Sequence, residues 1–367
     1  MRIILHGAVS VRWASPLCRR ALPVVPPPSS CPGRHLVVRR SSCRPGRHCV
    51  GGNSDRTEES VVVVMGATGT GKSKLAVELA IEFAGEVVNS DKIQVYRGLD
   101  VATNKMPVDE RRGVAHHLLG ELDPEEGELA PAAYRELAAG AIAGIADRGL
   151  LPVVTGGSNS FIHAALAGSF DPRRSPFEAA WGKRTGREAA LRYRCCFLWV
   201  NVDGAELEEQ LDQRVGEMVA GGMVEELGRY LVEEAAAEKG ESRHPGLSKA
   251  IGVAEFREYF RGKSQGTVAA YEAAVEAIKA NTRRLAKEQV RKMERLRWMG
   301  WPLQKLDATA AVAARLVGSV AESEAAWERD VAGPGVAAVE HFLNTTPSYT
   351  HLQFESSLSL IWLLNEH

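Results

Sequence analysis

Residues 61–73 read VVVVMGATGTGKS, and this stretch decides the fold. Its valines favour a buried β-strand. From Gly66 to Ser73 it matches the phosphate-loop pattern G-x-x-x-x-G-K-[ST], and residues 74–84 have apolar side chains at helical spacing. In such a loop successive backbone N–H groups point at a phosphate, and the dipole of the next helix adds positive charge. The stretch therefore predicts a strand, a phosphate-binding loop and a helix.

Seven residues of this loop are candidate phosphate or metal ligands. The Lys72 ammonium would reach the terminal phosphates, and the Ser73 hydroxyl would be a ligand of Mg²⁺. The other members bind through the backbone: Gly66, Ala67, Gly69, Thr70 and Gly71. The pattern predicts phosphate binding and does not distinguish between reaction types.

The charge of the chain is unevenly distributed. The 367 residues carry a formal net charge of −1, but the segment before Asp55 has nine arginines and no lysine or acidic residue, which leaves about −10 for residues 55–367. N-terminal segments rich in Arg and Ser and poor in acidic residues are typical of mitochondrial and chloroplast transit peptides. We therefore interpret residues 1–55 as a transit peptide; a basic tail without a targeting role is the alternative.

Strand-like and helix-like runs alternate after this segment. The strand-like runs lie at 61–65, 85–91, 150–157 and 195–202, and the helix-like runs lie at 73–84, 132–149 and 204–234. This alternation predicts an α/β fold of the P-loop NTPase type, a parallel sheet flanked by helices. Beyond about Leu247 the pattern is mainly helical. We expect one domain over residues 60–343 and assign no role to the tail at 344–367.

Other segments predict packing and surface structure. No uninterrupted apolar stretch is long enough to span a bilayer. Cys195 and Cys196 are neighbours in a strand-like run, so their side chains point to opposite faces and we expect packing residues, not a disulfide. Residues 169–188, rich in Pro, Arg and Gly, are predicted to form a loop.

A long amphipathic helix is predicted at residues 267–298. Its predicted stripe consists of Tyr271, Val275, Ile278, Leu285, Gln289, Met293 and Leu296. The second half is dense in Lys and Arg, which indicates a solvated basic face. A phosphate channel that includes Lys287 and Lys292 is the alternative.

Asp91 is the candidate acidic residue of the site. It ends the strand-like run 85–91, and at the carboxyl end of a strand in a parallel sheet it would face the crevice where ligands bind. A kinase or NTPase would use such an aspartate to hold Mg²⁺. A Walker-B aspartate follows a run of apolar residues, however, and Asn89 and Ser90 intervene here. The pattern alone leaves the role of Asp91 open.

Six further stretches extend the pattern along the chain. They are NSDKIQVYRGLDVATNKM (89–106), GVAHHLLG (113–120), TGGSNSFI (155–162), CCFLWVNV (195–202), RVGEMVAGGMVEEL (214–227) and SKAIGVAEF (248–256). Together with the phosphate loop, they resemble the plant adenylate isopentenyltransferases of cytokinin synthesis, in the same order from about Val61 to about Leu343. Agreement of spaced motifs is far more specific than any one motif.

The resemblance implies a prenyl transfer instead of a phosphoryl transfer. The phosphate loop would hold the diphosphate of dimethylallyl diphosphate while the N6 amine of adenine attacks C1 of the prenyl chain. Asp91 matches the family's proton acceptor, and Thr68 matches the threonine that hydrogen-bonds the bridging oxygen. Lys72, Arg214 and Mg²⁺ would stabilise the charge on the leaving diphosphate. Without the resemblance, Arg214 would be interpreted as part of a surface ion pair.

The resemblance also implies the acceptor and the location. It places Thr103 near an adenine nucleotide (AMP, ADP or ATP) and Lys249 near its phosphates, although Lys249 is equally compatible with a solvent-exposed lysine. A plastid location is expected, with the mitochondrion or the cytoplasm as alternatives, and so is a monomer. The sequence departs from the family at Asn201, a position that is usually acidic, and at Ala115, where proline is expected.

Other functions remain open. A tRNA dimethylallyltransferase shares the fold and the chemistry, but the acidic charge of residues 55–367 and the lack of a zinc-finger pattern disfavour it. A small-molecule kinase would use Asp91 as a metal ligand or a base. A P-loop switch protein would need a guanine-reading N-K-x-D motif, and residues 103–106 lack its aspartate. The kinase and the switch predict loss of a γ-phosphate, whereas the prenyltransferase does not.

Overall fold

A computed structural model describes residues 59–178, 190–235 and 242–345 of the protein. Three predictions therefore concern segments that are not described, or not fully. The predicted transit peptide at 1–55, residues 346–367 of the tail and residues 179–188 of the predicted loop lie outside the described residues.

A parallel sheet forms the centre of the described part. Its strands are β1 (Ser60–Gly66), β2 (Gly85–Asn89), β3 (His116–His117), β4 (Leu151–Thr155), β5 (Arg194–Asn201) and β6 (Leu303–Asp307). They are ordered β3-β2-β4-β1-β5-β6, and every neighbouring pair is parallel. The predicted fold class is thereby confirmed.

Helices cover both faces of this sheet. They are α1 (Lys72–Glu82), α2 (Pro131–Ala146), α3 (Asn159–Leu166), α4 (Gly204–Ala220), α5 (Met223–Ala235), α6 (Arg257–Arg261), α7 (Val268–Trp298), α8 (Thr309–Leu316), α9 (Val320–Trp327) and α10 (Gly333–Asn344). A π-helical stretch, Glu328–Ala332, joins the last two. In the described residues, no helix combines the length and the apolar character that crossing a membrane requires.

Strand β1 is buried on both faces, which explains its unbroken run of valines. Val61 and Val63 pack in a core with residues of α2, α3 and α7, whereas Val62 and Val64 pack in a second core with residues of α1 and α4. Cys195 and Cys196 on β5 likewise pack against opposite cores, so the prediction that they are packing residues on opposite faces is confirmed.

The structure corrects three details of the sequence interpretation. The predicted helix 204–234 is two helices, because the chain turns at Gly222, whose φ of 94° favours glycine. Leu285 is 40% exposed, and the buried stripe of α7 passes through Thr282 and Ala286 instead. Strands β3 and β6 were not predicted; they lie at the two edges of the sheet, and β6 interrupts the mainly helical C-terminal part.

Candidate active site

Three chain segments meet at the carboxyl end of the sheet. Strands β2, β4 and β1 are neighbours, so the residues that follow them lie side by side. The Ser90 N–H donates to the Thr155 carbonyl at 2.7 Å, which joins the ends of β2 and β4. A Cβ on Gly156 would lie 2.4 Å from the Ser90 carbonyl carbon, so only glycine permits this approach. The crevice predicted for Asp91 is therefore formed by the ends of neighbouring strands.

The phosphate loop has the backbone geometry of an anion nest. Gly69 and Gly71 have φ values of 85° and 91°, in the left-handed region that glycine adopts without strain. The Thr70 hydroxyl donates to the Ala67 carbonyl at 2.9 Å and closes the loop from within. Gly66 has no room for a side chain, since a Cβ would lie 2.5 Å from the Thr70 hydroxyl. The N–H groups of the loop and the N-terminus of α1 thus face the same space.

Lys72 lies in the interior of this space. Its Nζ donates to the Ala67 carbonyl at 3.4 Å. Burial lowers the pKa of Lys72 to about 8; the negative charge of Asp91 opposes this shift, and the positive charge of Arg214 adds to it. Lys72, Asp91 and Arg214 are therefore close enough to interact electrostatically, as the sequence predicted for the site.

Arg214 extends from α4 to the phosphate loop. Its Nη2 donates to the Thr68 hydroxyl at 2.6 Å. Its Nε is buried and has no hydrogen-bond partner among the described residues, and burial lowers the pKa of its guanidinium to about 10. The alternative of a surface ion pair is wrong, because Glu217 pairs with Arg315 and Asp212 pairs with Arg283.

Asp91 presents one carboxylate oxygen to the crevice. Its Oδ1 accepts hydrogen bonds from the backbone N–H groups of Ile93 (2.9 Å) and Gln94 (3.2 Å), which fixes the orientation of the carboxylate. Its Oδ2 makes no hydrogen bond with the described residues, and a Cβ on Gly157 would lie 3.1 Å from it. Oδ2 is therefore available to accept a proton from a bound group.

Gln289 is a site residue to which the sequence analysis gave no role. Its Oε1 accepts from the Thr68 N–H at 2.8 Å, and its Nε2 donates to the Gly157 carbonyl at 2.9 Å. Asn159 donates to the Gln289 backbone carbonyl at 3.0 Å. These hydrogen bonds tie the phosphate loop to the turn after β4. Gln289 itself is only 6% exposed. The signal in the sequence was a glutamine within the predicted apolar stripe of α7.

The two candidate acceptor residues lie farther along the same rim. Thr103 is connected to Asp91 through Gln94, whose backbone N–H binds Asp91 and whose Nε2 donates to the Thr103 carbonyl at 2.9 Å. Lys249 has a side chain that is 54% exposed and forms an ion pair with Glu128. The structure thus brings Thr103 close to the crevice and places Lys249 in an ion pair at its surface.

Lys287 and Lys292 of α7, the two candidates for a phosphate channel, are each in an ion pair. Lys287 pairs with Glu208 of α4 at 2.8 Å, and its side chain is 72% exposed. Lys292 pairs with Glu288, one turn earlier, at 3.5 Å. The interpretation as a solvated basic face is confirmed for these two lysines.

Comparison with known proteins assigns the chain to a family. The profile of the family described as IPP transferase matches residues 94–188 and 172–295. An adenylate isopentenyltransferase of Humulus lupulus is 46% identical over 295 residues, which are 77% of this chain and 89% of that protein. The chain belongs to the IPP transferase family.

Other members of the IPP transferase family are similar over the same length. Adenylate isopentenyltransferase 8 of Arabidopsis thaliana, named chloroplastic, is 43% identical over 78% of this chain and 86% of its own. Adenylate isopentenyltransferase 7 of the same plant, named mitochondrial, is 40% identical over 78% of this chain and 81% of its own. The names of both relatives agree with the family that the sequence motifs resemble.

Solved structures with the same fold come from enzymes named for tRNA. A eukaryotic dimethylallyltransferase acting on tRNA gives a TM-score of 0.64 at 23% identity and covers 84% of both chains. The tRNA isopentenylpyrophosphate transferase of Staphylococcus epidermidis gives a TM-score of 0.58 at 19% identity, over 73% of this chain and 100% of that one. At these identities the comparison establishes the shared fold.

Proposed function

We propose that this member of the IPP transferase family is an adenylate isopentenyltransferase. It transfers the dimethylallyl group of dimethylallyl diphosphate to the N6 amine of adenine in AMP, ADP or ATP, releases diphosphate and performs the first step of cytokinin synthesis. The observation that carries the proposal is the hydrogen bond of 2.6 Å from Arg214 to the Thr68 hydroxyl inside the phosphate loop. Because the Thr68 hydroxyl accepts this bond, its own proton can be donated to a bound diphosphate.

The phosphate loop binds the diphosphate of the prenyl donor. Its N–H groups and the Lys72 ammonium neutralise the terminal phosphate, and Arg214 holds the Thr68 side chain at the loop. The unpartnered Nε of Arg214 offers a further donor to the diphosphate. When the bond between C1 and the bridging oxygen breaks, its electron pair goes to that oxygen, where Thr68 donates a hydrogen bond. Preorganised donors of this kind contribute about 3–4 kcal/mol each to transition-state stabilisation.

Asp91 accepts the proton of the attacking amine. The N6 lone pair forms the new bond to C1, and one N6 proton passes to Oδ2, which makes no hydrogen bond with the described residues. The N–H groups of Ile93 and Gln94 hold Oδ1 and keep the carboxylate in place during this transfer. A correctly placed base contributes about 10²–10⁴-fold to the rate.

Mg²⁺ fits the residues at this site. Ser73 stands in the first turn of α1, where its hydroxyl can be a ligand. In the described residues, no group of three or more His, Cys, Asp or Glu is placed to hold a metal. Mg²⁺ suits such a site, because it keeps several waters and binds mainly through substrate phosphates. The ion would supply positive charge to the leaving diphosphate.

Free nucleotides are the favoured acceptors. The relatives named adenylate isopentenyltransferase are 38–46% identical to this chain, whereas the tRNA-acting structures are 19–23% identical. The net charge of about −10 on residues 55–367 also disfavours an RNA ligand. Because Lys72, Thr68, Asp91 and Arg214 all come from one chain, we expect the monomer to be the active unit.

The names of the relatives support a plastid location. The arginine-rich composition of residues 1–55 and the relative named chloroplastic agree with each other. One relative named mitochondrial keeps that organelle as the alternative.

An acceptor panel tests the proposal. The full chain is incubated with Mg²⁺, dimethylallyl diphosphate and, separately, AMP, ADP, ATP or an anticodon stem-loop RNA, and products are identified by mass spectrometry. We expect a prenylated nucleotide, and about 10²–10⁴-fold slower product formation by Asp91→Asn. Prenylated RNA alone would instead assign the protein to tRNA modification.

A further inference from the structure

Glu128 joins two lysines at the rim of the crevice. One of its carboxylate oxygens lies 2.5 Å from Lys92 Nζ, and the other is paired with Lys249 Nζ. The side chains of Lys92, Glu128 and Lys249 are 39%, 34% and 54% exposed, so solutes can reach all three. The two ammonium groups and the carboxylate between them carry a net positive charge. We call Lys92 and Lys249 the lysine pair.

The position of Glu128 is fixed by a buried tyrosine. The Tyr96 hydroxyl donates to the Gly127 carbonyl at 3.0 Å and accepts from the Leu129 N–H at 2.6 Å, so both neighbours of Glu128 are held by one side chain. Tyr96 is 1% exposed. The carboxylate therefore stands on a rigid frame and not on a free loop.

The segment that carries Lys249 also approaches Tyr96. A Cβ on Gly246 would lie 2.2 Å from the Tyr96 hydroxyl, so the chain that leads to Lys249 approaches as closely as glycine permits. Lys92 directly follows Asp91, whose carboxylate we assign to the adenine amine. Because neighbouring Cα atoms are about 3.8 Å apart, Lys92 starts from the same point of the rim as the proposed proton acceptor.

A phosphate group could take the place of the Glu128 carboxylate between the two lysines. In the lysine pair, each ammonium group contacts a different oxygen of the same anion. A nucleotide phosphate can be bound in the same arrangement, and it carries more negative charge than a carboxylate. A nucleotide whose amine lies at Asp91 can direct its phosphates to Lys92, the next residue in the chain, while the phosphate loop holds the diphosphate of the prenyl donor.

We propose that Glu128 takes, in the nucleotide-free protein, the place of a phosphate of the acceptor, and that Lys92 joins Lys249 as the pair that receives this phosphate. Glu128 is then a specificity-determining residue: it weakens the binding of every nucleotide by competing for the pair. Its own negative charge remains nearby and opposes longer phosphate tails more strongly. This inference rests on the proposed function.

The test compares Glu128→Gln with Glu125→Gln in the full chain. Glu125 lies three residues earlier and pairs with Arg243 at 2.6 Å, so its variant removes an equal charge without touching the lysine pair. The readouts are KM and kcat for AMP and ATP at saturating prenyl donor, the inhibition constant of adenosine, and calorimetric Kd values for AMP in the presence of inorganic diphosphate.

We expect Glu128→Gln to lower KM and Kd for AMP by about three- to tenfold, and those for ATP by more, because a repulsive charge is removed at short range. The kcat values and the inhibition constant of adenosine stay unchanged, as do all values of Glu125→Gln. We expect Lys92→Met to raise KM for AMP and to leave the inhibition constant of adenosine unchanged.

Three results would overturn the inference. Unchanged KM and Kd in Glu128→Gln would mean that Glu128 is only a surface ion-pair partner. An increased KM would mean that Glu128 orders the lysines for binding instead of competing. An equal effect of Glu125→Gln would mean that only the general charge matters. If the unmodified protein transfers no prenyl group to any nucleotide, the proposed function itself fails; prenyl transfer with one of these three results refutes the inference alone.

Discussion

Replacing Gln289 by leucine should misplace the phosphate loop. The substitution keeps the size of the side chain and removes both of its hydrogen bonds, to the Thr68 N–H and to the Gly157 carbonyl. Because Gln289 is 6% exposed, water does not readily replace them. The Thr68 N–H and the Gly157 carbonyl are then left without partners, and each such buried group costs about 1–3 kcal/mol. We expect the free energy of unfolding to fall by about 2–6 kcal/mol.

The effect on catalysis should be larger than on substrate binding. Without Gln289 the Thr68 backbone is no longer held, and a shift of about 1 Å in a catalytic group can cost about 10²-fold in rate. Urea unfolding followed by circular dichroism gives the stability, and steady-state kinetics with AMP gives kcat.

Gln210 provides the matched control. It is 2% exposed on α4, and its Oε1 has no hydrogen-bond partner among the described residues. Gln210→Leu removes an unsatisfied buried atom, so we expect unchanged or increased stability and unchanged kcat. If Gln289→Leu were as stable and as active as Gln210→Leu, Gln289 would have no part in holding the loop, and the reasoning would be refuted.

Further predictions concern groups that contact the substrates. Asp91→Asn should lower kcat by about 10²–10⁴-fold and retain calorimetric binding of diphosphate; full activity would exclude Asp91 as the base. Thr68→Ala should lower kcat by about 10²–10³-fold, with partial recovery in Thr68→Ser, and equal losses in both variants would argue against the hydroxyl. A pH profile of kcat/KM should fall as pH rises through about 8, where Lys72 loses its proton; a flat profile to pH 9.5 would contradict its role. Since the unfolded chain retains that proton up to the ordinary pKa of 10.5, the Lys72 contribution to the free energy of unfolding should rise between about pH 8 and 10.5 in urea titrations. Gly71→Ala should abolish diphosphate binding in calorimetry, because φ is 91° and its Cβ would lie 2.8 Å from the Trp327 ring; retained affinity would show that the loop tolerates the strain.

The central strands could be predicted because each is buried on both faces. The run of valines in β1 and the apolar runs of β4 and β5 have no other stable position than the middle of a parallel sheet. The edge strands have no such signal. Strand β3 is only His116–His117, and in β6 the exposed Gln304 and Lys305 separate Leu303 and Leu306, which pack in opposite cores. They become strands because a neighbouring strand offers its hydrogen bonds, which the local sequence does not encode.

The same limit applies to the candidate site. Lys72 and Ser73 were predicted from local spacing, and Asp91 from its place after a strand, whereas the role of Thr68 was predicted only through the resemblance. Arg214 was predicted to be in the site only through the resemblance, since its neighbours on the helix favoured a surface ion pair. The role of Gln289 depends on α7 lying across the loop from a distance of 221 residues in sequence. Local patterns carry no information on such contacts.

We infer that the phosphate loop holds the diphosphate of a prenyl donor and not the phosphates of a nucleotide. The most direct measurement uses ATP as the acceptor with dimethylallyl diphosphate and Mg²⁺, and identifies every product by mass spectrometry. We expect the product to be ATP that has gained one C₅H₈ unit and kept all its phosphates, with one diphosphate released per prenyl group transferred. Formation of ADP with a phosphorylated second product, and no prenylated nucleotide, would contradict it.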